Sequence, residues 1–180
     1  VDSNDRRFAK TINYGIAYGM ESYGLSQRLE IEPGEAKEIL EDYWKNFSNI
    51  KKYLNNVIKE TQINGFTETL YGRRRYFPGI SSSNGRIRMA EERAATNAPV
   101  QGTAADIFKL SMILAAKEIE KYGKDVAMIL TVHDELVFEV KTELIDQLTK
   151  NLVDAMENVV NLDVPLTVDV GVGSNWAEAK

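Results

Sequence analysis

Val126-Ala127-Met128-Ile129-Leu130-Thr131-Val132-His133-Asp134-Glu135-Leu136-Val137-Phe138-Glu139-Val140 is the stretch on which the fold turns. Two runs of strand-forming residues flank a short polar tip, and both runs are nearly unbroken in hydrophobicity. That pattern predicts two buried strands joined by a tight turn at His133-Asp134. The tip holds the only histidine of the chain and two adjacent carboxylates, Asp134 and Glu135. An aspartate is an ordinary turn residue, which is the plain reading of Asp134. Two carboxylates crowded at the mouth of an apolar hairpin also repel each other, and a divalent cation relieves that repulsion. Hard oxygen ligands of this kind suit Mg²⁺.

Working outward, the chain has 180 residues, enough for one ordinary domain or two small lobes. At 43% hydrophobic content it can bury a sizeable core, so global disorder is not expected. There is no apolar run long enough for a membrane span and no basic-plus-apolar N-terminal signal, so the expected setting is the cytoplasm, without a membrane partner. The absence of cysteine excludes disulfides and thiolate metal sites. The net charge of −5 argues weakly against nucleic acid, but its distribution does not. Residues 51–100 carry nine cations against four carboxylates, while residues 101–180 carry seven against fourteen. A basic segment beside an acidic one fits an enzyme that holds a polyanion and collects metal ions. It equally fits a fluctuation among solvated surface charges.

Near the start, Val1 to Asp5 offers several capping residues, and Arg6 to about Gly19 reads as a helix. Phe8, Ile12 and Ile16 make an apolar stripe, and Arg6, Lys10, Tyr14 and Tyr18 make a second stripe opposite it. The cations lie toward the N-terminal end, where the helix dipole also favours anions. The stripe reads as a triphosphate grip with a flat group stacked near the two tyrosines; an amphipathic helix with a snorkelling basic face is the alternative. Gly15 and Gly19 permit close approach of another group.

Two further helices are expected from Pro33 and after Ser48-Asn49, forming a hairpin with Tyr43, Trp44, Phe47 and Tyr53 in its core. Phe66 to Leu70 and Arg74 to Phe77 read as a β-hairpin around Tyr71-Gly72-Arg73. Arg73, Arg74 and Arg75 cannot all face one side of a strand, so at least one should reach a phosphate or an internal acid. Pro78 to Gly85 is a connector and the expected boundary between subdomains. From Arg86 a long helix begins, with Arg93, Asn97 and Gln101 on one face, a kink expected at Pro99, and an end at Tyr122-Gly123. These donors could read minor-groove acceptors, which every Watson–Crick pair presents; a solvated polar face is the alternative. After the His133 turn, Thr142 should cap a last helix. Leu166 to Val170 alternates as a half-buried strand, and Trp176 should pin the tail.

Arg6-Arg7-Phe8-Ala9-Lys10-Thr11-Ile12-Asn13-Tyr14-Gly15-Ile16-Ala17-Tyr18-Gly19 closely resembles motif B of the family A DNA polymerases. Arg93 to Asp106, containing Asn97-Ala98-Pro99-Val100-Gln101-Gly102-Thr103, resembles that family's palm helix, and Val132-His133-Asp134-Glu135 resembles its motif C. The order and the tail Val170-Gly171-Val172-Gly173-Ser174-Asn175-Trp176 match as well, so the resemblance covers essentially the whole chain. It implies that Arg6 and Lys10 grip the phosphates of an incoming dNTP, with Lys10 acting catalytically. Tyr14 would lie against its sugar and base, and Tyr18 would stack near the template base. It implies that Arg93, Asn97, Gln101 and His133 contact primer–template DNA, and it points more loosely to Arg73, Arg74 and Arg75 at the template backbone or a subdomain interface. Asp134, with Glu135 beside it, would bind Mg²⁺, or Mn²⁺, for nucleotidyl transfer. A tyrosine at position 14, rather than phenylalanine, implies acceptance of dideoxynucleotides.

The sequence departs from the family in one respect. The second metal-binding aspartate, in the motif A context Asp-Tyr-Ser-x-Ile-Glu, is not here, nor are the thumb and the 3′–5′ exonuclease. The expectation is therefore an α+β chain with a helical fingers subdomain over residues 1–84 and the C-terminal part of the palm over residues 85–180, inactive alone. Its partners would be primer–template DNA, dNTPs and the N-terminal part of a polymerase of bacterial, phage or organellar origin. The palm sheet should then carry an unpaired edge, bringing poor solubility, dimerisation or a covering partner. Three alternatives stand beside this reading: a non-catalytic DNA-binding or split-subunit module that needs a partner chain, a single-subunit RNA polymerase, and, most weakly, a metal hydrolase built on His133, Asp134 and Glu135.

Overall fold

A computed structural model describes residues 2–179. The chain forms two compact units, Val1–Thr103 and Ala104–Lys180. Among the described residues no helix is long and apolar enough to cross a membrane.

The first unit opens with α1 (Ser3–Ala17), which is started by a reciprocal cap. The Asp2 carboxylate accepts from the Asp5 backbone N–H, and the Asp5 carboxylate accepts from that of Asp2. A short helix, α2 (Ser22–Leu29), follows and ends on Glu30 in the left-handed conformation. Pro33 supplies the first turn of α3 (Pro33–Asn46), where its missing N–H costs nothing. α4 (Ser48–Asn64) ends on Gly65 at φ 78°, a backbone that glycine adopts freely. The expected α3–α4 hairpin is present, but its aromatics are not a sealed core: Phe47 is 50% exposed and Tyr53 is also exposed. Their rings pack on each other instead, Tyr43 against both Trp44 and Phe47.

β1 (Phe66–Glu68) and β2 (Arg74–Tyr76) then pair antiparallel, with Glu68 opposite Arg74. Phe77 and Ile80, just beyond β2, are buried against Ala95 and Ala98 of α5 (Gly85–Ile119). At about 100° per residue Ala95 lies on the far side of α5 from Arg93 and Asn97, and Ala98 lies beside the stripe, nearest Gln101. The small side chains draw the connector close, and the donor-rich stripe is left outward. Pro99, the expected site of a kink, lies inside α5.

In the second unit, α5 gives way to a 3₁₀ segment (Glu120–Asp125), earlier than the Tyr122-Gly123 end read from the sequence. β3 (Val126–Val132) and β4 (Glu135–Val140) pair antiparallel, with the turn at His133-Asp134 as expected. Ile129 is the extra residue where the register slips, a bulge in β3. α6 (Ile145–Glu157) is preceded by a 3₁₀ turn, Thr142–Leu144, so Thr142 starts that turn and Leu144 stands at the cap of α6. Leu148 and Leu152 of α6 bury with Ala115 and Val126, and Leu136, Phe138 and Val140 flank them.

Three expectations fail in this unit. The hairpin is not buried on both faces, since Ile129 is 57% exposed and Leu130 is exposed too. The apolar run reports what the sequence can bury, and among the described residues α5 and α6 pack against one side of it. Leu166 to Val170 forms no strand: the β3–β4 ribbon has two strands, and no described strand pairs with either outer edge. Trp176 is exposed rather than sunk in a core.

Candidate nucleotide and nucleic-acid site

The apolar periodicity of α1 decides what it presents to solvent. Ile16 is 2% exposed and Phe8 and Ile12 are half-buried, so the opposite stripe faces outward. Arg6, Lys10, Tyr14 and Tyr18 are all exposed along it, the two rings at 54% and 47%. The Lys10 ammonium lies 5.7 Å from the centre of the Tyr14 ring. Tyr14 and Tyr18 stack with centroids 6.4 Å apart and planes 23° from parallel. The result is a continuous track of two cations followed by two stacked phenols. It can hold an anion at one end and a flat group at the other. Behind the track, the Tyr43 hydroxyl on α3 donates to Asn13 Oδ1 at 3.1 Å, tying α1 to its neighbour.

Gly19 closes α1 at φ +69° and lies directly against Arg93 of α5. Arg93 and Gln101 are exposed, and Asn97 donates to the Arg93 carbonyl oxygen at 2.9 Å. The three arginines diverge, as a strand requires. Arg73 donates through Nη2 to the Gly102 carbonyl oxygen at 2.7 Å. The Arg74 guanidinium sits 4.3 Å from the centre of the Phe66 ring and bonds the Glu68 carboxylate, which raises the Arg74 pKa. Arg75 lies over Phe77. Arg74 thus meets an acid on the opposite strand, one that is itself exposed.

In the second unit His133, Asp134 and Glu135 are all exposed. His133 stands at φ 52°, and Val132 and Glu135 form the pair that closes the ladder. Positive φ at the first central residue matches the twist that two-residue hairpin turns need. The carboxylates of Asp134 and Glu135 are the oxygen donors a hard divalent cation takes, and they are accessible to one. Among the described residues no third histidine or carboxylate joins them to form a metal-ligating group. The turn therefore fits as one part of a coordination shell.

The description of DNA polymerase family A matches residues 1–178. The chain belongs to that family. The family A relatives include DNA polymerase I of Pseudomonas aeruginosa, 44% identical over 99% of this chain and 20% of that protein. DNA polymerase I of Deinococcus radiodurans is 46% identical over the whole of this chain and 19% of its own length. The POL domain of Pol1 from M. smegmatis, solved in complex with DNA primer-template and dNTP, matches with a TM-score of 0.94 at 44% identity, over 99% of this chain and 32% of that one. The chain spans about a fifth of the length of these curated family A relatives.

Residues that the sequence reading passed over also shape the site. Thr103 bonds the β1–β2 hairpin to α5, Thr69 braces the hairpin loop, and Gly102 makes room for the Thr69 methyl. A glycine in the interior of a helix is the signal that could have found them, since it carries a propensity cost without a cap to explain it.

Proposed function

We propose that this chain supplies the nucleotide-holding helix, the primer–template-reading helix and part of the metal-binding turn for template-directed DNA synthesis. In this reading residues 1–84 are fingers and residues 85–180 are the C-terminal part of the palm. The observation that carries it is the exposed Arg6–Lys10–Tyr14–Tyr18 track in a chain that matches family A over residues 1–178.

Arg6 and Lys10 hold the phosphates of a dNTP and neutralise the charge that grows on the departing pyrophosphate. Tyr14 and Tyr18 offer ring faces to the incoming nucleotide and to the template base. Arg93, Asn97 and Gln101 donate to minor-groove acceptors, which tests pair shape without reading sequence. His133 adjoins the primer terminus. Arg75, and Arg74 beyond its pairing with Glu68, are left to approach the template backbone. Asp134, with Glu135 beside it, would hold Mg²⁺ or Mn²⁺. When bound, the ion stabilises the attacking and leaving oxygens of phosphoryl transfer. The chain contributes position and electrostatics and needs no covalent nucleophile.

Primer extension with Mg²⁺ and dNTPs tests this, run on the chain alone and with the upstream part of a family A polymerase added in trans. Extension only in the presence of the added part is the expected result. Absence of extension in both, with primer–template binding intact, favours the second reading, a DNA-binding module without catalysis. The incomplete ligand set at Asp134 and Glu135 is what speaks for that second reading.

A further inference from the structure

Two hydrogen bonds join the β1–β2 hairpin to α5 at one place, and two more brace the hairpin loop behind them. Leu70 N–H donates to Thr103 Oγ1 at 3.1 Å, and Arg73 Nη2 donates to the Gly102 carbonyl oxygen at 2.7 Å. Thr69 Oγ1 accepts from the backbone N–H groups of Tyr71 and Arg73, which shapes the hairpin loop so that it can reach. A Cβ on Gly102 would lie 2.5 Å from Thr69 Cγ2, so the approach depends on glycine in the helix. The neighbours of this contact are the residues whose aim matters. Gln101 precedes Gly102, and Asn97 lies one turn earlier on the same helix. Phe77 and Ile80 hold the alanine side of α5, but apolar packing sets distance better than rotation or height. Directional bonds to a helix carbonyl and to a helix side chain fix both.

We propose that Arg73, Thr69 and Thr103 are positioning residues that clamp α5, so that Asn97 and Gln101 meet the minor groove of a correctly paired primer terminus. The clamp rests on the reading of the Asn97–Gln101 face given above. It assigns Arg73 to the helix rather than to a DNA phosphate. Arg73 and Thr103 then act together on discrimination between paired and mispaired termini, not on the electrostatic part of DNA binding.

The test titrates the chain with primer–template DNA carrying either a matched or a mispaired terminus, over a series of salt concentrations. Arg73→Ala and Thr103→Val should each shrink the ratio of the two dissociation constants by about two- to tenfold, the effect of one net hydrogen bond. The slope of affinity against salt should stay unchanged. Gly102→Ala should shrink the ratio as well, and adding Thr69→Ser should restore it, because serine keeps the hydroxyl and deletes the clashing methyl. A fall of about one in the salt slope for Arg73→Ala, with the ratio intact, would make Arg73 a phosphate ligand and overturn the clamp. An unchanged ratio in Thr103→Val overturns it too. If the unsubstituted chain binds no primer–template, the functional reading fails, and the clamp is still decided. Leu70 amide exchange must then quicken in Thr103→Val, and Thr69→Ser must raise the melting temperature of Gly102→Ala. Failure of both overturns it.

Discussion

Gly19 and Arg93 touch across 74 residues of chain: a Cβ on Gly19 would lie 2.8 Å from Arg93 Cγ, and Gly19 itself sits at φ +69°. The end of the exposed cation–tyrosine track on α1 and the start of the donor stripe on α5 are thus one contact. Gly19→Ala meets two penalties there. Left-handed backbone costs a non-glycine residue about 1–2 kcal/mol, and the Arg93 side chain must also move. The urea midpoint should fall by that equivalent with an unchanged slope, and primer–template affinity should fall with it. Gly19→Asn tolerates the backbone better but keeps the clash, so a smaller loss of stability with an equal loss of binding separates the two causes.

In the proposed function, Asp134→Asn should abolish primer extension in the assay that combines this chain with the upstream part of a family A polymerase, by more than about a hundredfold, while primer–template affinity persists. Supporting groups around a metal typically cost 10- to 100-fold, and a ligand should exceed that. Glu135→Gln should fall within that lower range. Chelation should stop extension and added Mg²⁺ should restore it. Equal defects in the two variants would show that the turn does not distinguish its carboxylates.

Tyr14→Phe should lower the incorporation of dideoxynucleotides relative to dNTPs, with little change for dNTPs themselves. The ring and its stacking on Tyr18 survive this change, and only the hydroxyl is lost. Competition assays read the ratio directly. An unaltered ratio would separate the Tyr14 hydroxyl from sugar selection.

Glu178 ties the tail into a small clasp. Its carboxylate accepts from the Ser174 hydroxyl at 2.5 Å and from Asn175 Nδ2 at 2.7 Å, and from Ser174 N–H. These bonds hold its pKa below the ordinary glutamate value, the Ser174 hydroxyl foremost. A depressed acid contributes stability above its unfolded pKa of about 4.3 and loses it as pH falls through the folded value. Acid titration below about pH 4 should therefore shift the emission of Trp176, two residues away, read in a Trp44→Phe background so that Trp176 is the sole tryptophan. Glu178→Gln should show no such transition.

Local patterns carried the reading where they close on themselves. The α1 stripe, the α3–α4 hairpin and the His133 turn follow from periodicity and turn chemistry. The β1–β2 hairpin was legible from its loop, but the Glu68–Arg74 pairing within it came only with the register. What was missed depends on partners. Leu166 to Val170 alternates as a strand should, but a strand exists only with a ladder, and no described strand offers one. The run around Ile129 reads as buried because sequence reports hydrophobicity and not who covers it. α2 escaped because its eight residues include Gly24 and no side-chain cap, too little signal for a helix that its neighbours stabilise. The Thr69–Gly102 contact escaped because a glycine inside a helix signals a close approach without saying which residue approaches.

The left-handed backbone at His133 sets the local preference of the turn against the side chain that stands there. Glycine is the residue that such a first turn position favours, and an imidazole there is held against local preference at about 1 kcal/mol. A laboratory lineage selected for thermal survival alone would drift toward glycine at this position, whereas one selected for DNA synthesis would keep histidine. Sequencing the two lineages would show whether the side chain or the backbone governs the turn.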